Sequence, residues 1–200
     1  MLVQDIVRAR TQSIEFVGFL DEERPQTGRL EALGAEYLGS QTDAAVVRAI
    51  PRPCQFTVAI GNGAIRETLR QSLSTSGLRE ATLIHPSAVV GADVEMAGGV
   101  VCAGSVITTN VHLGHSTQIN LNCTLGHDVT LGAGVTTSPG VNISGNVTVG
   151  AMATIHTNAA ILPGITIGAK AIVGAGAVVV NDIDPGITVV GIPAKPLLRN

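Results

Sequence analysis

The chain has 200 residues, of which 24 are glycine, 45% are hydrophobic and 2% are aromatic. This composition lacks the large aromatic side chains on which globular cores usually depend, so it favours a fold built from stacked aliphatic residues. The net charge of −3 and the absence of a lysine or arginine cluster exclude a typical nucleic-acid-binding surface.

The cysteine and hydropathy patterns exclude several further classes of protein. Cys54, Cys102 and Cys123 have no paired spacing, which argues against a disulfide framework and against a structural zinc site. The sequence contains no apolar run of eighteen residues and no leader of charged and then apolar residues. We therefore expect a soluble cytoplasmic protein with no membrane partner.

The first 84 residues alternate between helical and extended patterns. The predicted helices are residues 2–10, 42–50 and 64–73, and the predicted strands are residues 14–20, 56–60 and 81–84. Such alternation is typical of a parallel α/β sheet, in which ligands bind at the carboxyl ends of the strands. Candidate binding residues at those ends are Asp21, Glu22, Gly61, Asn62 and Arg66.

From residue 101 onward, every sixth residue is a branched aliphatic, with one exception in fourteen positions. A helix or a long strand has a period of 3.6 or 2.0 residues and would drift out of phase with this repeat. The residue two places before the aliphatic is small or β-branched at almost every step, so each hexad has two inward-facing positions. This pattern predicts a parallel β-helix in which three hexads close one triangular coil. The aliphatic series is Val101, Ile107, Leu113, Ile119, Leu125, Leu131, Thr137, Ile143, Val149, Ile155, Ile161, Ile167, Val173 and Val179.

The run INLNCTLGHDVTLGAGVTTSPGVNISGNVTVG, followed by ILPGITIGAKAIVGAGAVV and VVGIPAKPL, resembles the hexapeptide-repeat acyltransferases. It is most similar to the branch that contains sialic-acid O-acetyltransferases and bacterial nucleotide-sugar (UDP-4-amino-sugar) N-acetyltransferases. The resemblance implies a left-handed parallel β-helix prism preceded by a small nucleotide-sugar-binding α/β domain. It also implies a homotrimeric, metal-free enzyme that moves an acetyl group from acetyl-CoA to an amino or hydroxyl group of a nucleotide-linked or free sugar. The expected sugar substrate is UDP-linked.

On this basis the chain divides into an α/β domain of residues 1–84, a β-helix of residues 85–184 and a C-terminal loop or tail of residues 185–200. Family members begin with a strand and a turn of the form G-x-G-G-x-G, whose backbone N–H groups receive the phosphates of the nucleotide sugar. No such turn precedes the predicted helix of residues 2–10, so the α/β domain looks truncated at its front. We therefore expect the native start to lie upstream or the sugar site to be altered, with acetyl-CoA binding retained.

Acetyl transfer from a thioester needs a base that takes the proton of the acceptor, and histidine suits this task near neutral pH. His127 lies two residues after a buried aliphatic position, so we expect its side chain to project outward. By resemblance His127 is the general base and Asp128 orients its imidazole. Asn120 matches a family position that contacts the amino sugar, although a turn amide is an equally good interpretation.

The resemblance also suggests acetyl-CoA-binding residues, namely Thr136, Gly145, Thr157 and Ala175. Thr136 stands where the family often has a second histidine, nine residues after the first, so a hydroxyl replaces an imidazole there. Coils that repeat every eighteen residues bring Gly145 and Thr109 to the two sides of His127, and a glycine beside the base leaves room for a thioester. Each of these small residues also suits plain prism architecture.

Two alternative functions fit the same prism. Some proteins of this type are carbonic anhydrases, which hold zinc with three histidines including a pair five residues apart. The histidines at 85, 112, 115, 127 and 156 include no such pair. The second alternative is a non-catalytic scaffold or sugar-binding protein that has kept the prism and lost its substrate domain.

Overall fold

The computed structural model describes Ile6, residues 14–24, Gly28 and residues 34–197. Most of the described chain forms a three-sided prism of short parallel strands, with one strand per side in each coil. Strands of successive coils pair at a spacing of eighteen residues, as Thr124 pairs with Asn142 and Thr130 with Thr148. The chain therefore forms the parallel β-helix that the hexads predict.

Each side of the prism is one sheet. Within the described residues, the eight-stranded face comprises Thr82–Ile84, Gly99–Val101, Thr117–Ile119, Thr136–Thr137, Thr154–Ile155, Ile172–Val173, Thr188–Val190 and the antiparallel Lys195–Pro196. The six-stranded face comprises Val89–Val90, Val106–Ile107, Thr124–Leu125, Asn142–Ile143, Ala160–Ile161 and Val178–Val179. The five-stranded face comprises Val94–Met96, Val111–Leu113, Thr130–Leu131, Thr148–Val149 and Thr166–Ile167.

The core is the inside of the prism. All fourteen members of the aliphatic series are at most 2% exposed, and the small residues two places earlier line the same interior. Each fully buried valine, leucine or isoleucine side chain contributes about 1.5–3 kcal/mol relative to an exposed one. Thr137 is the polar exception, and its hydroxyl lies 3.4 Å from the carbonyl oxygen of Gln118 and 3.4 Å from the sulfur of Cys123.

Two corners of the prism matter for the site. The histidine corner consists of residues 126–129 and their equivalents in neighbouring coils, and it joins the six-stranded face to the five-stranded face. The asparagine corner consists of residues 120–123 and their equivalents, and it joins the eight-stranded face to the six-stranded face. Both corners turn at residues with positive φ, such as Asp128 at 60° and Asn122 at 55°. Asparagine and aspartate tolerate this left-handed conformation better than most residues do.

Before the prism, the described residues include two small parallel sheets and the helices Ala44–Ala49 and Gly63–Thr75. Phe19–Leu20 pairs with Tyr37–Gly39, and Gln55–Phe56 pairs with Arg79–Glu80. Helix α1 spans Ala44–Ala49 and helix α2 spans Gly63–Thr75. The side chains of Asp43 and Asn62 cap these helices by accepting hydrogen bonds from backbone N–H groups of the first turn.

The structure corrects several predicted elements of this part. The strands predicted over 14–20 and 56–60 shrink to Phe19–Leu20 and Gln55–Phe56, because their other residues have no ladder partner within the described chain. The strand predicted near 81–84 forms as Thr82–Ile84, but it pairs with Gly99–Val101 in the prism rather than with the α/β sheet. The predicted tail contributes Thr188–Val190 to the same prism face. The helix predicted over 2–10 lies outside the described residues except for Ile6, which is helical and buried.

Candidate active site at a corner of the prism

His127 and Asp128 form a hydrogen-bonded pair at the histidine corner. The neighbouring Leu125 and Val129 are fully buried, so the turn between them points outward, and the side chains of His127 and Asp128 are 65% and 47% exposed. Nδ1 of His127 lies 2.6 Å from Oδ2 of Asp128. A carboxylate can only accept, so Nδ1 donates and the neutral ring keeps a lone pair on Nε2. This is the tautomer that a general base needs.

The charge of Asp128 supports this arrangement. The hydrogen bond from His127 lowers the pKa of the Asp128 carboxyl group, and a hydrogen bond from Asn110 lowers it further. Asp128 is therefore ionised at neutral pH and remains an acceptor for the imidazole.

Gly145 lies directly against the imidazole of His127, one coil further along. A Cβ atom built on Gly145 would lie 2.5 Å from Nε2 and 2.6 Å from Cε1, so no residue with a side chain fits there without moving the ring. On the other side, the backbone N–H of Asp128 donates to the carbonyl of Thr109 at 3.2 Å. The eighteen-residue stacking thus places both neighbours of His127 where the sequence predicts them.

Asn110 is a member of this site that the sequence analysis missed. Its Nδ2 donates to Oδ1 of Asp128 at 2.6 Å from one coil earlier. The eighteen-residue spacing could have identified it, because Asn110 precedes Asp128 by one coil. The same interval identified Thr109 and Gly145 as neighbours of His127.

The other predicted site residues of the prism lie at a different corner. Asn120, Thr157 and Ala175 belong to the asparagine corner, across the six-stranded face from His127. The side-chain oxygen of Asn120 accepts a hydrogen bond from the backbone N–H of Leu121 at 3.1 Å, which is a turn contact. One copy of the chain therefore does not bring these three residues together with His127 and Gly145.

The structure gives Arg66 a role that differs from the predicted contact with substrate. Arg66 is 2% exposed, and every N–H of its guanidinium has an acceptor within the chain. The acceptors join two parts of the molecule; they are the carbonyls of Ile60, Gly61, Ser116, Gly134 and Val135, with side-chain oxygens of Gln118 and Thr136. Burial lowers the pKa of Arg66 to about 10, and the charge of Glu80 opposes this shift. Arg66 thus stays charged at neutral pH and fastens helix α2 to the prism.

Thr136 belongs to the same junction, at which Arg66 attaches helix α2 to the prism. Its hydroxyl lies 2.8 Å from Nη2 of Arg66, and its side chain is buried. The structure therefore directs this hydroxyl to Arg66 and away from solvent, in contrast with the expected contact to acetyl-CoA.

A second polar cluster completes the junction. The side chain of Glu80 is 4% exposed and accepts hydrogen bonds from the backbone and hydroxyl groups of Ser116, and it lies 3.3 Å from Nδ1 of His115. A cavity of about 270 Å³ lies beside it, between the segment at residues 57–59 and the eight-stranded face. Arg66 and Glu80 line this cavity, whereas His127 does not.

The remaining predicted residues lie near strand ends in the α/β part. Asp21 and Glu22 follow Phe19–Leu20 and are exposed, and a backbone N–H of Glu23 donates to Asp21. Gly61 and Asn62 are exposed at the start of helix α2, which Asn62 caps.

Among the described residues, no cluster of three or more histidine, cysteine or acidic side chains could hold a metal ion. No helix in the described ranges has the length and hydropathy needed to cross a membrane.

Comparison with known proteins finds the same architecture in bacterial sugar-modifying enzymes. Residues 1–73 match the family described as the PglD N-terminal domain. Over 73 residues the chain is 36% identical to GDP-perosamine N-acetyltransferase of Escherichia coli O157:H7, a match that spans 36% of this chain and 33% of that enzyme.

Solved structures match nearly the whole chain. A histidine-to-asparagine variant of perosamine N-acetyltransferase from Caulobacter crescentus, in complex with CoA and GDP-perosamine, is 31% identical and superposes with a TM-score of 0.87 over 99% of this chain and 91% of that one. The chain belongs to the bacterial nucleotide-sugar N-acetyltransferases of the hexapeptide-repeat type. The acetyltransferase domain of PglB from Neisseria gonorrhoeae, in complex with acetyl coenzyme A, is 32% identical with a TM-score of 0.87, covering 98% of this acetyltransferase and 93% of that chain.

The family settles the predictions of fold and chemical class. The left-handed parallel β-helix with a small α/β part before it is confirmed, and so is an enzyme that transfers acetyl groups from acetyl-CoA to sugars. GDP-perosamine is the sugar nucleotide of two of these relatives.

Proposed function

We propose that this acetyltransferase moves the acetyl group of acetyl-CoA onto the primary amine of a nucleotide-linked amino sugar, with His127 as general base. The observation that carries the proposal is the exposed His127 imidazole, which Asp128 holds through Nδ1 so that Nε2 is available. Because acetyl-CoA is made inside the cell and is too polar to leave it unaided, the enzyme works in the cytoplasm.

The reaction needs one base and no covalent enzyme intermediate. The amine nitrogen attacks the thioester carbonyl carbon, a carbon–nitrogen bond forms, and Nε2 of His127 takes the proton that the nitrogen loses. The tetrahedral intermediate then collapses, the carbon–sulfur bond breaks, and the imidazolium returns the proton to the CoA thiolate. Asp128 stabilises the transient imidazolium because its carboxylate is ionised and hydrogen-bonded to the ring.

The proposed acetyl-CoA groove requires more than one copy of the chain. Gly145 lies at the histidine corner, whereas Thr157 and Ala175 lie at the asparagine corner of the same prism. Two corners of neighbouring prisms, packed along their six-stranded faces, would join these residues into one groove. The outward residues of that face include apolar side chains such as Val89 and Val106, which are 60% and 37% exposed. We infer a homotrimer, with Asn120 of a neighbouring copy beside the sugar.

The α/β part, residues 1–84, is proposed to hold the nucleotide. Gly61 and Asn62 offer backbone and amide groups at the start of helix α2, and Asp21 and Glu22 offer carboxylates for sugar hydroxyls. GDP-perosamine is the sugar nucleotide of two of the similar enzymes, which favours GDP over the UDP expected from the sequence.

The test is acetyl transfer by the purified protein. CoA release is followed with a thiol reagent, with acetyl-CoA as donor and GDP-perosamine or a UDP-linked 4-amino sugar as acceptor. We expect turnover with a higher kcat/KM for the GDP-linked sugar, and a trimer by analytical ultracentrifugation. Turnover with the UDP-linked sugar alone would overturn the choice of nucleotide, and the absence of acetylated product with either sugar would overturn the proposed acceptor.

A further inference from the structure

The carboxylate of Asp128 has two partners, one on each oxygen. Oδ2 accepts from Nδ1 of His127 at 2.6 Å, and Oδ1 accepts from Nδ2 of Asn110 at 2.6 Å. Because an ionised carboxylate has no proton to donate, the Asn110 amide must present its N–H₂ group to it. Asn110, Asp128 and His127 thus form a continuous chain of directed hydrogen bonds.

We infer that Asn110 is a positioning residue for acetyl transfer, which holds the Asp128 carboxylate in the orientation that fixes His127. The inference rests on the proposed role of His127 as general base. It adds a residue that contacts neither the acetyl group nor the sugar.

Hydrogen bonds must fix the orientation of Asp128 and His127, because packing around their side chains restricts it little. All three side chains are exposed to solvent at the surface of the corner, so little surrounding protein restricts their rotation. An exposed aspartate with one partner can still turn about its side-chain bonds, whereas one with both oxygens engaged has a single favoured orientation. The backbone beneath is tied down, since the N–H of Asn110 donates to Ala92 and Val111 is fully buried.

Backbone conformation alone does not require asparagine at position 110. Asn110 has a φ of 55°, and the same left-handed conformation is adopted at other turns of the prism by Ser116, Met152 and Lys170. The prism therefore accepts residues of very different chemistry at such positions. What distinguishes position 110 is the carboxylate of Asp128 one coil above it.

The experiment compares three variants. Asn110→Gly keeps the left-handed backbone and removes the amide. Asn110→Asp keeps the shape but replaces the donor with a second carboxylate, which repels Asp128. Lys170→Gly is the matched control, because Lys170 also has a left-handed φ, of 60°, and lies at the third corner, between the five-stranded and eight-stranded faces.

The first measurement is steady-state kinetics with acetyl-CoA and GDP-perosamine. We expect Asn110→Gly to lower kcat roughly tenfold with little change in KM for acetyl-CoA, Asn110→Asp to lower it further, and Lys170→Gly to match wild type within about twofold. In an Asp128→Asn background the Asn110→Gly change should have almost no further effect, because its route to His127 is already broken. A wild-type kcat for Asn110→Gly, or an equal fall in the Asp128→Asn background, would overturn the inference.

The second measurement needs no sugar. The imidazole ¹⁵N shifts of His127 report which ring nitrogen carries the proton in the neutral form. We expect the Nδ1-protonated form to dominate in wild type and in Lys170→Gly, and to lose population in Asn110→Gly. Identical shifts in Asn110→Gly and wild type would contradict a positioning role.

These results separate the two proposals. If His127→Ala keeps wild-type activity, the proposed function fails whatever Asn110 does. If His127→Ala is inactive while Asn110→Gly equals wild type, the function stands and the inference about Asn110 fails.

Discussion

Replacing Gly145 with alanine tests the active site most directly, because the added methyl group meets the imidazole of His127. The φ of Gly145 lies outside the left-handed range, so alanine adopts the same backbone without strain. Its Cβ would lie 2.5 Å from Nε2, 2.6 Å from Cε1 and 2.9 Å from Cδ2. Ordinary contact begins near 3.5 Å, so the ring must retreat by about 1 Å.

The size of the effect follows from that displacement. The ring is largely exposed and free to move, so we expect the free energy of unfolding to change by no more than about 0.5 kcal/mol. A shift of 1 Å stretches the 2.6 Å contact between Nδ1 and Asp128 beyond hydrogen-bonding distance and carries Nε2 away from the acceptor amine. Misplacement on this scale costs on the order of 100-fold in kcat.

The assay measures kcat and both KM values by CoA release, with thermal unfolding followed by circular dichroism. Ser144→Ala, one residue earlier at the same corner, is the control and should resemble wild type. In a His127→Ala background Gly145→Ala should lower kcat no further, since the ring that it displaces is gone. A kcat within threefold of wild type would refute the importance of the ring's position, and a large loss of thermal stability would show that Gly145 serves the coil instead.

Five further substitutions test other parts of the protein. His127→Ala should lower kcat about 100-fold or more while the fold persists, because it removes proton transfer; activity near wild type would refute the base. Asp128→Asn should lower kcat less than that. Because the pKa of Asp128 is depressed in the folded protein, the stability that its ionised form contributes is present above its unfolded pKa and is lost as pH falls through the folded value, so wild type and Asp128→Asn should converge in unfolding experiments at acidic pH. Ile143→Asp should abolish folding, since it buries an unpaired carboxylate, whereas Thr137→Val should change the free energy of unfolding by less than about 1 kcal/mol because its hydroxyl contacts are long. Arg66→Met should destabilise the protein by about 3–5 kcal/mol in denaturant unfolding, because it strands several buried acceptors; an unchanged midpoint would contradict its role as a fastener.

The prism could be predicted from the sequence because one rule governs every coil. A six-residue period places each aliphatic in the interior, and an eighteen-residue coil places each corner residue above its counterpart. That arithmetic located Gly145 against His127, and it would also have located Asn110 beneath Asp128. The α/β part obeys no such rule, and the apolar runs at 14–20 and 56–60 were predicted as longer strands than their pairing partners allow.

The contacts between helix α2 and the prism could not be predicted from sequence patterns, because they join residues far apart along the chain. Arg66 reaches Ser116, Gly134 and Thr136 across 50 to 70 residues, and its polar surroundings give no periodic signal. The resemblance indicated Thr136 as a cofactor residue in which a histidine had been replaced. The structure gives a physical reason for threonine there, because a small hydroxyl accepts from the buried guanidinium at 2.8 Å in a space closed by the carbonyl of Gly134. An imidazole at this position would have to share that space with Arg66. Thr136 offers no imidazole to acetyl-CoA, but its hydroxyl accepts a hydrogen bond from Arg66 and so helps to hold helix α2 on the prism.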